Sequence, residues 1–189
     1  MDVSPLTLIG DERITADPRS CDPASLVWGN ALLGVNCPAI GVTLVKEPSH
    51  PALLVRIPSV SVSVFANRYD STSVYMLLKN VDEALLSFVR VIEARCKDYV
   101  DAHPTYLQPK AGRRVEFFSI ISSDGTAMKV KTHFPFVAIN AATGRLIRHT
   151  ELCGAREATD VTLRFGGLWK TCISAGMHLH LVGGTFSFA

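Results

Sequence analysis

Two periodicities stand out along the chain. Val60-Ser61-Val62-Ser63-Val64-Phe65 alternates strictly, with Val60, Val62 and Val64 on one face and Ser61 and Ser63 on the other. A period of two is that of a strand with one buried face. The run follows Ala52–Ile57 across Pro58, a residue that suits an edge or a bulge between two strand segments. A helical period takes over after Asn80. Val81, Leu85, Phe88, Val89, Ile92 and Cys96 share one stripe, and Asp82, Glu83, Arg90, Glu93, Lys97 and Asp98 the opposite one. Asn80 as N-cap with Glu83 three residues on has the form of a capping box. The pattern predicts one amphipathic helix from about Val81 to about Tyr99, ended by Asp101-Ala102-His103-Pro104.

Most of the remaining chain reads as short strands between turns. Leu6–Ile9 and Gly41–Lys46 are strand candidates, and Ser25–Leu33 suits either a strand or a short helix. Val115–Ile121, the turn Ser122-Ser123-Asp124-Gly125 and Ala127–Phe134 read as a hairpin. Phe136–Ile139 extends the β region, and Asn140–Gly144 turns into Arg145–Arg148. Val161–Phe165, Leu168–Ile173 and Met177–Phe188 supply three more strands. The expected fold class is mainly β with a minor α part: an antiparallel barrel or sandwich of eight to ten strands carrying one helix. Residues 1–189 are expected to form a single domain, with a loop-rich N-terminal segment over 1–24 and a Pro/Gly loop over 103–112.

Composition narrows the class. Hydrophobic residues make up 48% and charged residues 19%, too apolar a balance for a disordered chain. No apolar run is long enough for a transmembrane helix, and Met1-Asp2-Val3-Ser4 does not begin a signal peptide, so no membrane partner is expected. Cys21, Cys37, Cys96, Cys153 and Cys172 are odd in number and lack C-x-x-C spacing, which fits reduced thiols. The expected location is intracellular, in cytoplasm or nucleus of a host cell, or within a virion. The formal net charge of +2 hides an asymmetry. Residues 1–108 hold 9 Lys and Arg against 12 Asp and Glu, whereas residues 109–189 hold 10 against 5. A cationic surface built from the second part would attract polyanions.

Enzymatic signatures are missing: there is no P-loop, dinucleotide fingerprint, nucleophile elbow or H-E-x-x-H. No catalytic residue and no cofactor is expected. His178 and His180 would share a strand face, but no third ligand has convincing spacing, so no metal is expected either. What the second part does offer is aromatic residues interleaved with cations on β segments. Arg113 and Arg114 precede Phe117 and Phe118. Adjacent strand residues face opposite ways, so one of these two phenylalanines can be core and the other free. Lys129 and Lys131 point the same way, with Phe134 close by, and Arg164-Phe165 leads to Trp169. Cations for phosphates and flat rings for unstacked bases are what a single strand needs. A duplex reader would present an Arg- and Asn-dense helix or ribbon, and the helix here has mixed charge. Candidate nucleic-acid-binding residues are therefore Arg113, Arg114, Phe118, Lys129, Lys131, Phe134, Arg164 and Trp169.

The order of segments resembles the single-stranded DNA-binding proteins of large DNA viruses and some phages. The stretches that carry the resemblance are Val60–Phe65, Leu78-Lys79-Asn80-Val81-Asp82 entering the helix, and Phe118-Ser119-Ile120 through Asp124-Gly125 to Met128-Lys129-Val130-Lys131. Gly167-Leu168-Trp169 followed by Gly176-Met177-His178-Leu179-His180-Leu181 closes the pattern. The resemblance implies an OB-fold barrel and sequence-tolerant binding of single-stranded DNA, in the setting of viral DNA replication. The family often carries an acidic C-terminal tail, where this chain has Thr185-Phe186-Ser187-Phe188-Ala189. The expected partner is single-stranded nucleic acid, with homo-oligomers through the apolar C-terminal strand as a second expectation. The competing reading is a viral coat or other self-assembling structural protein on a β-sandwich.

Overall fold

The computed structural model describes residues 15–16, 19, 22–23, 27–33, 40–45, 53–66, 73–103, 115–171 and 173–188. In chain order the elements are β1 (Thr15–Ala16), β2 (Val27–Leu33), β3 (Ile40–Val45), β4 (Leu53–Ala66), β5 (Val74–Lys79), α1 (Glu83–Ala102), β6 (Glu116–Phe118), β7 (Ala127–Asn140) and β8 (Leu146–Ile147). A 3-10 turn at His149–Leu152, β9 (Ala155–Lys170) and β10 (Ser174–Phe188) complete them. Of the Ser25–Leu33 segment, Val27–Leu33 is a strand, and Gly41–Val45 falls in β3. Leu6–Ile9, most of the 1–24 segment, residues 104–112 of the Pro/Gly loop, and Cys21, Cys37 and Cys172 lie outside the described residues.

Five strands close on themselves in the order β4–β5–β7–β10–β9 and back to β4. Taken by rank along the chain this is 1-2-3-5-4-1, an OB-like barrel. It is one continuous sheet, not the two packed sheets of a sandwich. The barrel is not wholly antiparallel: β7 and β10 run parallel, as do β1 with β4 and β6 with β10. An odd number of strands cannot alternate direction all the way round, so one seam has to be parallel.

The alternation around Val60 becomes the middle of β4. Val60 and Val62 are buried, and Ser61 is the corner at which the strand passes from one partner to the other. It pairs with Glu157 of β9 and with Lys79 of β5. Pro58 does not divide β4. It stands exposed between Ile57 and Ser59, which pair with Val161 and Thr159 of β9. Val161–Phe165 and the Leu168–Lys170 part of the second expected strand are instead one strand, β9. Their junction is a bulge: His178 pairs with Gly167 and Leu179 with Phe165. Gly167 has φ +94°, a conformation that glycine adopts without strain.

The expected hairpin forms only next to its turn. Ile121 bridges antiparallel to Met128, with the Lys129 N–H donating to the Ile120 carbonyl at 2.7 Å and the Ser122 N–H to the Ala127 carbonyl at 2.9 Å, but before Ser119 the chain leaves this partner. β6 lies parallel to Ser174–Gly176 at the start of β10 instead. This non-local pairing carries Phe118 to the far end of the chain.

α1 begins two residues later than predicted and ends three later. Its N-cap is Asp82, whose Oδ1 accepts the Ala84 N–H at 2.7 Å. Asn80 sits in the left-handed region at φ +56° and its side-chain amide donates to Ser61 Oγ at 3.3 Å. At the other end the helix runs through Asp101 and Ala102, and His103 caps it by donating its N–H to the Tyr99 carbonyl at 3.1 Å. A proline restricts chiefly the residue before it, so Pro104 does not shorten the helix at Asp101. The buried stripe, Leu85, Leu86, Phe88, Val89, Ile92, Cys96 and Val100, joins the barrel core. Phe88 meets Phe165 edge to face at 5.8 Å.

β10 lies between β7 and β9, with Met177, Leu179, Leu181 and Phe186 buried. The apolar C-terminal strand thus packs within its own barrel, and Phe188 is left partly exposed at its end. Cys96 is a buried free thiol and Cys153 an exposed one. Among the described residues no helix is long and apolar enough to cross a membrane.

Candidate nucleic-acid interface

The outward positions of β5, β7 and β10 form one side of the barrel. Lys129 and Lys131 flank the buried Val130, so both side chains leave the sheet on its outer face. Lys129 pairs with Leu77 and Lys131 with Tyr75 across the β5 seam. The Lys129 ammonium stands 4.3 Å from the centre of the Tyr75 ring, a cation–π contact. On β10, Met177 and Leu179 point inward and His178 and His180 outward. His180 is in register with Lys131.

Trp169 and Phe118 complete this face from opposite sides of Gly176, which pairs with both residues. A Cβ on Gly176 would come within 2.8 Å of Trp169 Cζ2 and 3.0 Å of the Phe118 carbonyl oxygen. The indole therefore lies directly over the glycine backbone. Phe118 and Trp169 stack at 6.4 Å and 17°, Trp169 and His178 meet at 5.9 Å and 38°, and His178 and His180 at 5.3 Å and 32°. These four rings form a continuous ladder. A groove of about 210 Å³ runs beside it, lined by Tyr75, Phe118, Lys129, Lys131, Trp169 and His178 among others. Phe118 is 49% exposed, and its neighbour Phe117 packs against the core.

The wall after Phe118 is held from the helix. The Ile120 N–H and the Ser119 hydroxyl both donate to the Glu93 carboxylate, at 2.6 Å and 2.8 Å. Burial pushes the Glu93 carboxyl above its ordinary range, and these two hydrogen bonds oppose that shift.

Of the eight candidate residues, the structure brings Phe118, Lys129, Lys131 and Trp169 to one groove. Arg164 is half-buried on β9, opposite His180 and outside the groove lining. Phe134 lies on β7, with its side chain outside the described set, and Arg113 and Arg114 fall outside the described residues altogether. Not every cation of the second part reaches this surface. Lys170 is buried, donates to the His103 carbonyl at 3.0 Å and has its ammonium pKa lowered by burial. Tyr75, Gly176 and Glu93 are structural members of the site that the sequence reading lacks. Val74-Tyr75-Met76-Leu77-Leu78 is apolar throughout, so no alternation in the sequence singled out Tyr75; the fold does, by burying Val74, Met76 and Leu78 and leaving Tyr75 and Leu77 half-buried. Among the described residues no cluster of three or more His, Cys, Asp or Glu could hold a metal ion.

No protein-family model matches the chain, and no curated protein matches it. Solved structures are similar to it. One is gp2.5, a single-stranded DNA binding protein encoded by bacteriophage T7, at 14% identity over 71% of this chain and 91% of that one, with a TM-score of 0.38. Another is the single-stranded DNA-binding protein from bacteriophage Enc34 with its C-terminus truncated, at 10% identity over 88% of this chain and 96% of that one, with a TM-score of 0.44. Both are single-stranded DNA-binding proteins of phages, the class whose segment order the sequence resembles.

Proposed function

We propose that the barrel binds single-stranded nucleic acid, DNA by the sequence resemblance, without reading its base sequence. One observation carries this reading: the outward ring ladder Phe118–Trp169–His178–His180 lies alongside Lys129 and Lys131 on one face. Every base has a flat face, so stacking on such rings tolerates any sequence, at about 1–3 kcal/mol per base. Lysines beside the rings neutralise phosphates and release counterions. The strands 2–3 face of an OB barrel is a place where oligonucleotides bind, and by rank those strands are β5 and β7 here. Arg164 extends the cationic edge past His180, and Arg113, Arg114 and Phe134 are carried as further contacts on their sequence pattern alone. No bond is made or broken in this function.

The test uses tryptophan emission. Trp28 and Trp169 are the two tryptophans, so a Trp28→Phe background leaves Trp169 as the reporter. Titration with a thirty-nucleotide dT strand at low salt is expected to quench it, and a duplex of equal length to bind more weakly. Trp169→Ala should cost about 1–3 kcal/mol of binding free energy. Unchanged emission together with no retardation of the oligonucleotide at low salt would refute the proposal.

A further inference from the structure

The groove is lined as far as Tyr75, but the sheet face continues beyond it. Phe65 of β4 pairs directly with Tyr75, and directly opposed cross-strand residues leave a sheet on the same face. Phe65 is 54% exposed, more than any other described phenylalanine. The registers then define a lane across four neighbouring barrel strands, Phe65, Tyr75, Lys131 and His180, and from His180 the rings continue along β10 to His178 and to Trp169 and Phe118 on either side of Gly176. Rings and cations share this path, which crosses the strands at right angles as far as His180 and then follows β10. Three strand spacings of about 4.8 Å and four residues of β10 at about 3.3 Å make a path of about 28 Å. At the roughly 3.4 Å per nucleotide of a stacked strand, or somewhat more when extended, that length holds about five to eight nucleotides. This is the low end of what one OB barrel accommodates.

We propose that Phe65 is a terminal stacking residue, so that the bound single strand crosses from Phe65 and Tyr75 over Lys131 to His180 and then follows β10 to Trp169 and Phe118. The proposal rests on the nucleic-acid reading of the groove and adds to it a path, a footprint and a residue. Single exposed phenylalanines are ordinary on protein surfaces. This one differs because its cross-strand partner is a groove-lining ring that holds a lysine over its face.

A length series separates the two levels of the claim. In the Trp28→Phe background, dT3, dT6, dT9 and dT12 are titrated against Trp169 emission for the parent, Phe65→Ala and Phe65→Tyr. Parent affinity is expected to climb steeply from dT3 to dT6 and slowly thereafter. Phe65→Ala should lose about fivefold or more on dT6 and longer strands, with dT3 unaffected, because three nucleotides are served by Trp169 and Phe118. Phe65→Tyr, which keeps a ring for stacking, should restore most of the loss. If Phe65→Ala binds dT6 to dT12 as tightly as the parent, the path across β4 is wrong while the groove stands. An equal loss on dT3 also overturns it. If the parent binds none of the strands, the groove reading itself fails.

Discussion

Gly176 is where the site depends on a missing atom. The indole of Trp169 rests on its backbone, flanked by the rings of Phe118 and His178. In Gly176→Ala the new methyl would meet a ring carbon at 2.8 Å and the Phe118 carbonyl at 3.0 Å. The carbonyl belongs to a paired strand and the ring is flanked on both sides, so neither yields cheaply. We expect a loss of about 1–3 kcal/mol in urea unfolding, with weaker oligonucleotide binding and a changed Trp169 emission maximum. An unaltered emission maximum would contradict the close approach. Glu93 makes a second prediction. Its carboxyl titrates above the ordinary glutamate range in the native state. Between the ordinary value and the raised one, the native state holds more protons than the unfolded state, so stability falls as pH rises through that window. Gln at 93 cannot titrate and can still accept the Ile120 N–H. The urea midpoint of the parent relative to Glu93→Gln should therefore decline as pH rises from about 4; parallel midpoints would contradict the burial of that charge. Lys129 and Lys131 follow from the period of a strand, and so does the opposition of Phe117 to Phe118. The meeting of Phe118 with Trp169 does not, because it requires a parallel pairing across more than fifty residues of chain.

Helix α1 and strand β4 were the elements best written into the sequence, since each buries one face and so must keep one period. Their ends were less legible. Asn80 and Asp82 are both good capping residues, and what separates them is tertiary: Asn80 is turned toward Ser61 in a left-handed conformation. The break in β9 was misplaced for a related reason. Gly166-Gly167 reads as a turn between strands, but a bulge lets one strand bend around a small barrel without ending. Packing joins helix to barrel most directly at Phe88, which lies against Phe165 with both rings buried. Phe88→Ala removes that contact and leaves a cavity that two fixed elements cannot close. The expected cost is about 3–5 kcal/mol in thermal or urea unfolding. A loss below about 1 kcal/mol would show that α1 is not part of the cooperative barrel. The helix also reaches the interface through Glu93, so an element that touches no ligand in the proposed function still fixes the wall that would.

Across the whole molecule the decisive property is where the cations end up. The excess of Lys and Arg in residues 109–189 predicted a basic surface, yet the fold distributes those groups unequally. Lys129 and Lys131 face the groove, Lys170 is buried, and Arg145 stands exposed after the Gly144 turn, outside the groove lining. A count of charges cannot make that distinction, because it depends on strand parity and on which seams close the barrel. The distinction is measurable as salt dependence. Each phosphate neutralised on a single strand contributes about 0.7 to the slope of log affinity against log salt. Replacing Lys129 and Lys131 together by Gln should flatten that slope by about 1.4 and weaken binding at low salt, with the fold intact because both side chains leave the outer face. Arg145→Gln removes a charge of the same sign outside the groove and should leave the slope unchanged. If Arg145→Gln flattens it as much per charge, attraction is spread over the whole basic surface and the groove has no privileged role. If the double lysine variant alone changes it, the phosphate path runs between β5 and β10.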